Sequence, residues 1–207
     1  MRGINSHSNS FQARLLVQVA CAMTLAALLV GLSAGQALAL DVGDTFKKDG
    51  NTYKVTEAYE NSHEIGEAVL VKYGSTNKTP SFNIVKYKGE SFEVERIGHN
   101  AFNNAKGHKI TSVKLGKHVD AIGKKAFYGC TKLKTIDLAA SDSIEVEWSK
   151  KAGKYVIDDL DIGEKAFTKA GVAKVKVKCG CAKASFQKVY KKALVKKGLR
   201  TDAKVVK

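Results

Sequence analysis

Apolar residues recur at fixed places along the second half of the chain. Ile110-Thr111-Ser112-Val113-Lys114-Leu115 and Leu133-Lys134-Thr135-Ile136-Asp137-Leu138 match position for position, apolar at the first, fourth and sixth places, and start 23 residues apart. A third copy, Val172-Ala173-Lys174-Val175-Lys176-Val177, starts 39 residues further on, one such period plus 16 inserted residues. Between these strand-like pieces Ile97-Gly98 precedes Ala101-Phe102, Ile122-Gly123 precedes Ala126-Phe127, and Ile162-Gly163 precedes Ala166-Phe167. Two motifs interleaved in one order mark internal repeats, which decide the fold before any single element does.

The spacing predicts a mainly β solenoid. Each coil offers a short strand with its first, fourth and sixth side chains inward, then bends at the Gly, where a missing side chain permits a tight turn. Phe fills the inside of the coil, and the small Ala before it lets neighbouring turns approach. The predicted repeat core is Ile97, Phe102, Ile122, Phe127, Leu133, Ile136, Leu138, Ile162 and Phe167. A single coil cannot bury its apolar face alone, so the coils must stack, with atypical units at the ends. Side chains alternate along a strand, so the third and fifth residues of each motif point out. Ser112, Lys114, Thr135, Asp137, Lys174 and Lys176 are therefore the candidate ligand contacts.

At these residues the chain resembles the BspA-type leucine-rich repeats of bacterial surface proteins, whose units read Leu-x-x-Val-x-Leu followed by Ile-Gly-x-x-Ala-Phe-x-x-Cys. Val119 to Leu138 matches best, with Ile122, Gly123, Ala126, Phe127, Cys130, Leu133, Ile136 and Leu138 in place, and the resemblance covers about residues 80 to 178. It implies a right-handed leucine-rich-repeat stack with a parallel sheet on one side, and a role in surface attachment or recognition without catalysis. Asn103-Asn104-Ala105 departs from the Cys-bearing turn in the first unit, and Ala170-Gly171 in the last.

The repeats, 96–178, are flanked by different material. Residues 40–95 read as a non-repeating N-terminal β cap, with β-branched and aromatic runs at 52–56, 68–71 and 82–85 between turn signals. The insertion at 139–161 reads as a hairpin leaving the solenoid, with Ile144 to Trp148 and Tyr155 to Ile157 as its arms. Trp148, the chain's only tryptophan, is expected to pack there, because large aromatics are usually buried for area. Within 179–207, Ala182, Phe186, Val189, Tyr190, Ala193 and Leu194 recur at helical spacing before Gly198, which predicts a basic capping helix and a tail.

Charge and the N-terminus narrow the setting. Arg2 and Arg14, an apolar run from Leu15 to Leu32 and the small-x-small end Ala37-Leu38-Ala39 predict a signal peptide over 1–39, cleaved after Ala39. An uncleaved anchor is the rival reading, since this run of eighteen residues, broken only by Gln18, Thr24 and Gly31, approaches the thickness of a bilayer. Either way the remainder lies outside the cytoplasm, secreted or on the outer face of the envelope. Both arginines and none of the 20 acidic residues lie before Leu40, which leaves a net charge of +13 on the mature part. That charge favours anionic partners without specifying a fold. Three cysteines remain in a compartment that allows disulfides: Cys130, Cys179 and Cys181. They are read as ordinary thiols, with a bond from Cys130 to Cys179 or Cys181 as the alternative.

Residues that carry chemistry are scattered. His63, His99, His108 and His118 form no pair at metal-ligand spacing, and His99 and His118 occupy variable slots of the repeat. Asp158-Asp159-Leu160-Asp161 with Glu164 lacks the glycine and alternating donors of a calcium loop. Cys-Gly-Cys lacks the spacing of a zinc site. No nucleophile elbow or phosphate loop occurs, so no enzyme, cofactor or metal is expected. The expected function is surface recognition or adhesion through the solenoid face, toward a protein, an acidic polysaccharide or a wall polymer. The alternative is a structural envelope protein held to anionic wall polymers by charge. No second apolar span follows residue 40, and nucleic acid is not an expected partner. The secreted form should begin near Leu40; intact-mass measurement of material from the culture medium checks this, and a full-length mass refutes it.

Overall fold

The computed structural model describes residues 39–58, 65–141, 145–150, 153–158 and 161–207. The expected signal peptide lies outside them except for Ala39, as does His63. The described chain is mostly sheet, with one α-helix. A seven-stranded sheet holds β1 (Thr45–Lys48), β2 (Asn51–Glu57), β3 (Gly66–Lys72), β5 (Ile84–Tyr87), β6 (Glu90–Ile97), β8 (Ala121–Ile122) and β12 (Asp161–Ile162). A five-stranded sheet runs in the order β14 (Lys204–Val206), β13 (Lys176–Lys178), β9 (Thr135–Asp137), β7 (Ser112–Leu115) and β4 (Ser81–Phe82). The remaining strands, β10 (Glu145–Ser149) and β11 (Lys154–Asp158), pair only with each other, and α1 spans Ala184–Lys196.

A parallel sheet was the expectation, and it describes the five-stranded sheet, whose four pairings are all parallel. The seven-stranded sheet is mixed instead. Its β1, β2 and β3 are antiparallel neighbours and β5 is antiparallel to β6, whereas β3, β6, β8 and β12 run parallel. The physical reason is the short links between β1 and β2 and between β5 and β6, since tight turns join only antiparallel strands.

Between the two sheets lies a column of rings. Phe102 and Phe127 stack with centroids 4.7 Å apart, and Phe127 and Phe167 with centroids 5.5 Å apart. Tyr73 extends the column at 4.6 Å from Phe102, and all four side chains are fully buried. The backbone repeats with them: the N–H groups of Tyr73, Phe102 and Phe127 donate to the carbonyls of Ala101, Ala126 and Ala166, the residues just before the next Phe. Ile97, Ile122 and Ile162 form a paired row with Leu70 on one side of the rings. On the other side Val113, Ile136, Val177 and Val205 form a second row, with Leu133 and Leu138 buried beside it.

Residues 40–95 were expected to lack the repeat, and here the structure differs. Leu70, Tyr73 and the strand Ser81–Phe82 occupy the places of Ile, Phe and the repeat strand, so a degenerate unit stands inside the cap. The run 82–85 is two strands, not one. Asn83 interrupts it, accepting a hydrogen bond from Val94 N–H through its carbonyl and one from Lys117 N–H through Oδ1, as the chain crosses between sheets. The first part of the cap has its own aromatic cluster, with Phe46 packed on Tyr53, Tyr87 and Phe92.

The glycine of each repeat serves a different purpose from the one expected. The residue that takes the left-handed conformation is two places later: Asn100, Lys125 and Lys165, with φ of 56°, 55° and 58°. The glycines are needed for close approach. A Cβ on Gly98 would stand 2.7 Å from the carbonyl oxygen of Leu70, and one on Gly123 2.6 Å from the backbone nitrogen of His99. A Cβ on Gly163 would meet the backbone of Lys124 in the same way.

The third strand is shifted by two residues from the expected alignment. Lys176 pairs with Thr135 and Val177 with Ile136, so the matching hexamer is Lys174 to Cys179. The extra length is taken up before the strand, where the Val175 N–H bonds the Val172 carbonyl and Lys174 is left-handed at φ 58°. A period of two cannot distinguish registers that differ by two, because every side chain keeps its face. The C-terminal tail is also ordered: it supplies β14, whose residues pair in parallel with β13.

Two substitutions separate these roles. Phe127→Ala should cost about 3–5 kcal/mol, the range for emptying a ring-sized site. Gly123→Ala should destabilise strongly, whereas Lys125→Gly should leave stability within about 1 kcal/mol, since relief of a left-handed residue offsets the added chain freedom. Urea titration of the three variants checks this, and equal losses at Gly123 and Lys125 would overturn the assignment of the turn.

Candidate binding face

The outward side of the five-stranded sheet is built by alternation. With Val113, Ile136 and Val177 inward, their neighbours point out as two polar rows. One row is Ser112, Thr135, Lys176 and Lys204; the other is Ser81, Lys114, Asp137 and Lys178. Lys114, Lys176, Lys178 and Lys204 are exposed, and Ser112, Thr135 and Asp137 are half-buried. Lys178 Nζ lies 3.4 Å from Asp137 Oδ2, while Lys114, Lys176 and Lys204 have no ion-pair partner among the described residues. Positive charge therefore gathers on β13 and β14.

Of the six residues expected on this face, Ser112, Lys114, Thr135, Asp137 and Lys176 lie on the two rows. Lys174 does not. The two-residue shift places it in the turn before β13, where its N–H bonds Asp202 Oδ2 at 3.3 Å, and Lys178 takes its place on the row. Asp202 is itself held by Arg200 at 2.9 and 3.0 Å, which draws its carboxyl down to about 2.

The opposite sheet carries acids that inspection of the repeats alone overlooks. Glu67 is pushed up to about 7, first by burial and then by its hydrogen bond to Glu95 and the charges of Glu95, Glu57 and Asp120. Asp120 is raised as well, by burial and then by Glu95. The signal was present as acidic residues at outward places of β3 and β6, outside the quoted motifs.

Other candidate chemistry is dispersed. His118 Nδ1 pairs with Glu93 at 2.8 Å, His108 Nε2 lies 3.2 Å from the Tyr128 carbonyl, and His99 is exposed. Glu164, from the acidic loop, pairs with Lys124 and Lys165; Asp159 and Leu160 lie outside the described residues. Cys130 is a buried free thiol whose burial pushes its ionisation up to about 12. Cys179 and Cys181 are free thiols too. Among the described residues no group of three or more His, Cys, Asp or Glu side chains is placed to hold a metal ion, and no helix is long and apolar enough to cross a membrane.

The hairpin β10–β11 rests on α1 through Tyr155, whose ring lies 4.9 Å from that of Phe186. Trp148 was expected to be buried here, and it is 54% exposed. No third strand joins the hairpin among the described residues, and Trp148 contacts Tyr155 edge-on at 5.1 Å with about half of its surface in water.

Residues 79–149 match the family model described as a BspA type leucine rich repeat region, in six copies. These residues are BspA-type leucine-rich repeats. Comparison with curated proteins found no match. Among solved structures, the chain is similar to a leucine rich cell surface protein from Faecalibacterium prausnitzii A2-165, at 21% identity and a TM-score of 0.41. The likeness covers 67% of this chain and 34% of that one, so the chain spans about a third of that protein. Within the leucine-rich-repeat region lie Phe102, Phe127 and the strands β7 and β9, which form half of the polar rows.

The acidic side gives a pH dependence. Glu67 has a folded-state value above its unfolded one, so its contribution to stability is complete below about 4.5 and is lost as pH rises through about 7. Glu67→Gln should therefore raise the melting temperature more at pH 8 than at pH 4.5. Thermal melts at the two pH values check the sign, and an equal effect at both refutes the coupling.

Proposed function

We propose that the repeats form a short solenoid, exported and acting outside the cell, that binds without catalysis through the outward rows of the five-stranded sheet. The observation that carries this reading is the set of exposed, largely unpaired lysines at Lys114, Lys176, Lys178 and Lys204 on a rigid sheet. Stacked strands hold these cations at fixed spacing, and like charges so close repel each other until an anionic partner neutralises them. Surface recognition or adhesion fits the leucine-rich repeats, with an acidic polysaccharide, wall polymer or acidic protein surface as the partner class. The expected segments stand behind this reading: a signal over 1–39, a cap over 40–95, repeats over 96–178 and a capping helix with tail over 179–207.

A second reading rests on the net charge of +13: a structural envelope protein held to anionic wall polymers without selectivity. The two differ in where the charge matters. Replacing Lys176, Lys178 and Lys204 with Gln should weaken binding to an acidic polysaccharide roughly tenfold at low salt, at about 0.5 kcal/mol per exposed contact. The control replaces Lys47, Lys48 and Lys54 of the cap and should lose little. Equal losses in both triples favour the second reading, and no binding by the parent protein at low salt ends both.

A further inference from the structure

The insertion and the helix beneath it enclose a groove of about 390 Å3 that the sheet face does not use. Its floor is apolar, formed by Tyr155 and Val156 of β11 and Val189 of α1. Its rim is cationic, formed by Lys154, Lys192 and Lys196, with no acidic residue among the described residues that line it. The helical residues fall on one face because positions three and four apart lie side by side, while Tyr190 and Leu194 on another face enter the core. Trp148 does not line the groove but lies against Tyr155, the two rings crossed at 76° and 54% and 41% exposed.

We propose that this groove binds the sugar rings of an acidic polysaccharide, as a site separate from the sheet face. A uronate ring has a flat, largely apolar C–H face and a carboxylate at its edge. Tyr155 and Trp148, which pair across the hairpin and so share one face of it, supply a surface for the face, and the three rim lysines supply charge for the edge. A volume of this order suits a ligand site, which typically combines an apolar lining with a few convergent polar groups. An anionic bilayer fits less well, because the apolar floor is recessed between two elements instead of protruding. An acidic peptide satisfies the lysines but offers no flat apolar face to the exposed rings. The inference rests on the reading of an extracellular binding protein, and not on the sheet rows.

Trp148 is the chain's only tryptophan, so its fluorescence reports on this site alone. Titration of the protein with an oligogalacturonate should give a saturable change in that emission. Lys192→Gln combined with Lys196→Gln should shift the midpoint roughly tenfold to higher ligand, at about 0.5–1 kcal/mol per contact. Tyr155→Ala, which keeps the reporter, should weaken it as well, with circular dichroism checking that the variant is folded. The sheet triple Lys176, Lys178 and Lys204 to Gln should leave the titration unchanged; if it does while bulk polymer binding also survives, the sheet reading fails and the groove stands. The proposal is overturned by the absence of a saturable change. It is also overturned if polyglutamate or phosphatidylglycerol vesicles match the oligogalacturonate, if neutral dextran oligosaccharides do so, or if the sheet triple abolishes the signal.

Discussion

The fold depends on rings stacked at the same distance that separates hydrogen-bonded strands. Strands lie about 4.7–4.9 Å apart, and the centroids of Tyr73, Phe102 and Phe127 are 4.6 and 4.7 Å apart. Ring column and backbone ladder can then be satisfied together. This match dictates the small residues around each Phe. Ala101, Ala126 and Ala166 are fully buried and pass their carbonyls to the preceding unit, and the Gly after each Ile keeps the next backbone within contact distance. A larger residue at either place would push the units apart and open both ladders. The wider step of 5.5 Å between Phe127 and Phe167 still falls in the favourable stacking range, and it comes where the insertion interrupts the chain.

Because the column fixes the inner side chains, the outer ones are left to other demands. On the five-stranded sheet they accumulate lysine toward β13 and β14, and on the seven-stranded sheet they accumulate the acids around Glu67 and Glu95. Burial first, and then the neighbouring acids, push the Glu67 carboxyl up to about 7. The lysines stand on long side chains. Their ammonium groups extend away from the sheet, and one of them, Lys178, is offset by Asp137 on the adjacent strand. Lysines thus gather on one sheet and a local group of acids on the other, on a scaffold that specifies neither.

What could be read from the sequence was whatever the ring column demands. Ile97, Phe102, Ile122, Phe127, Ile162 and Phe167 stand at constant spacing because each must meet the same neighbour, and all are buried. Tyr73 escaped notice because Leu70 precedes it by three residues, not five, and no glycine follows Leu70. After it, the Tyr73 hydroxyl donates to the Asn77 carbonyl, a contact that spacing cannot reveal. The position of Lys174 failed for a different reason. From Lys174 to Cys179 lysine and apolar residues alternate throughout, so two registers satisfy the same pattern, and only the turn at Val172–Val175 chooses between them. The left-handed residues Lys125 and Lys165 were hidden because lysine gives no sign of that conformation, whereas the glycine two places earlier invites it. The C-terminal strand was hidden because Lys204-Val205-Val206 is too short to show alternation, and its pairing with β13 is what makes it a strand.

The candidate groove was legible only as an anomaly. A single tryptophan in an insertion of mostly polar and charged residues reads as a packing residue, because burying its large surface is favourable, by roughly 25 cal/mol per Å2. The insertion offers little to bury it: two strands alone make no core, and among the described residues the helix beside it has its apolar face already committed to the body at Tyr190 and Leu194. Phe186 and Tyr155 take up the contact that remains. A ring left exposed beside lysines gives up that gain in stability, and moving it to the interior of the repeats is closed off by the spacing that the ring column imposes. The stack can admit new surface only at an interruption between units. The 18 residues added between the second and third strand motifs in the observed register therefore mark the place where this chain departs from its own repeat and where a surface of distinct chemistry has room to form.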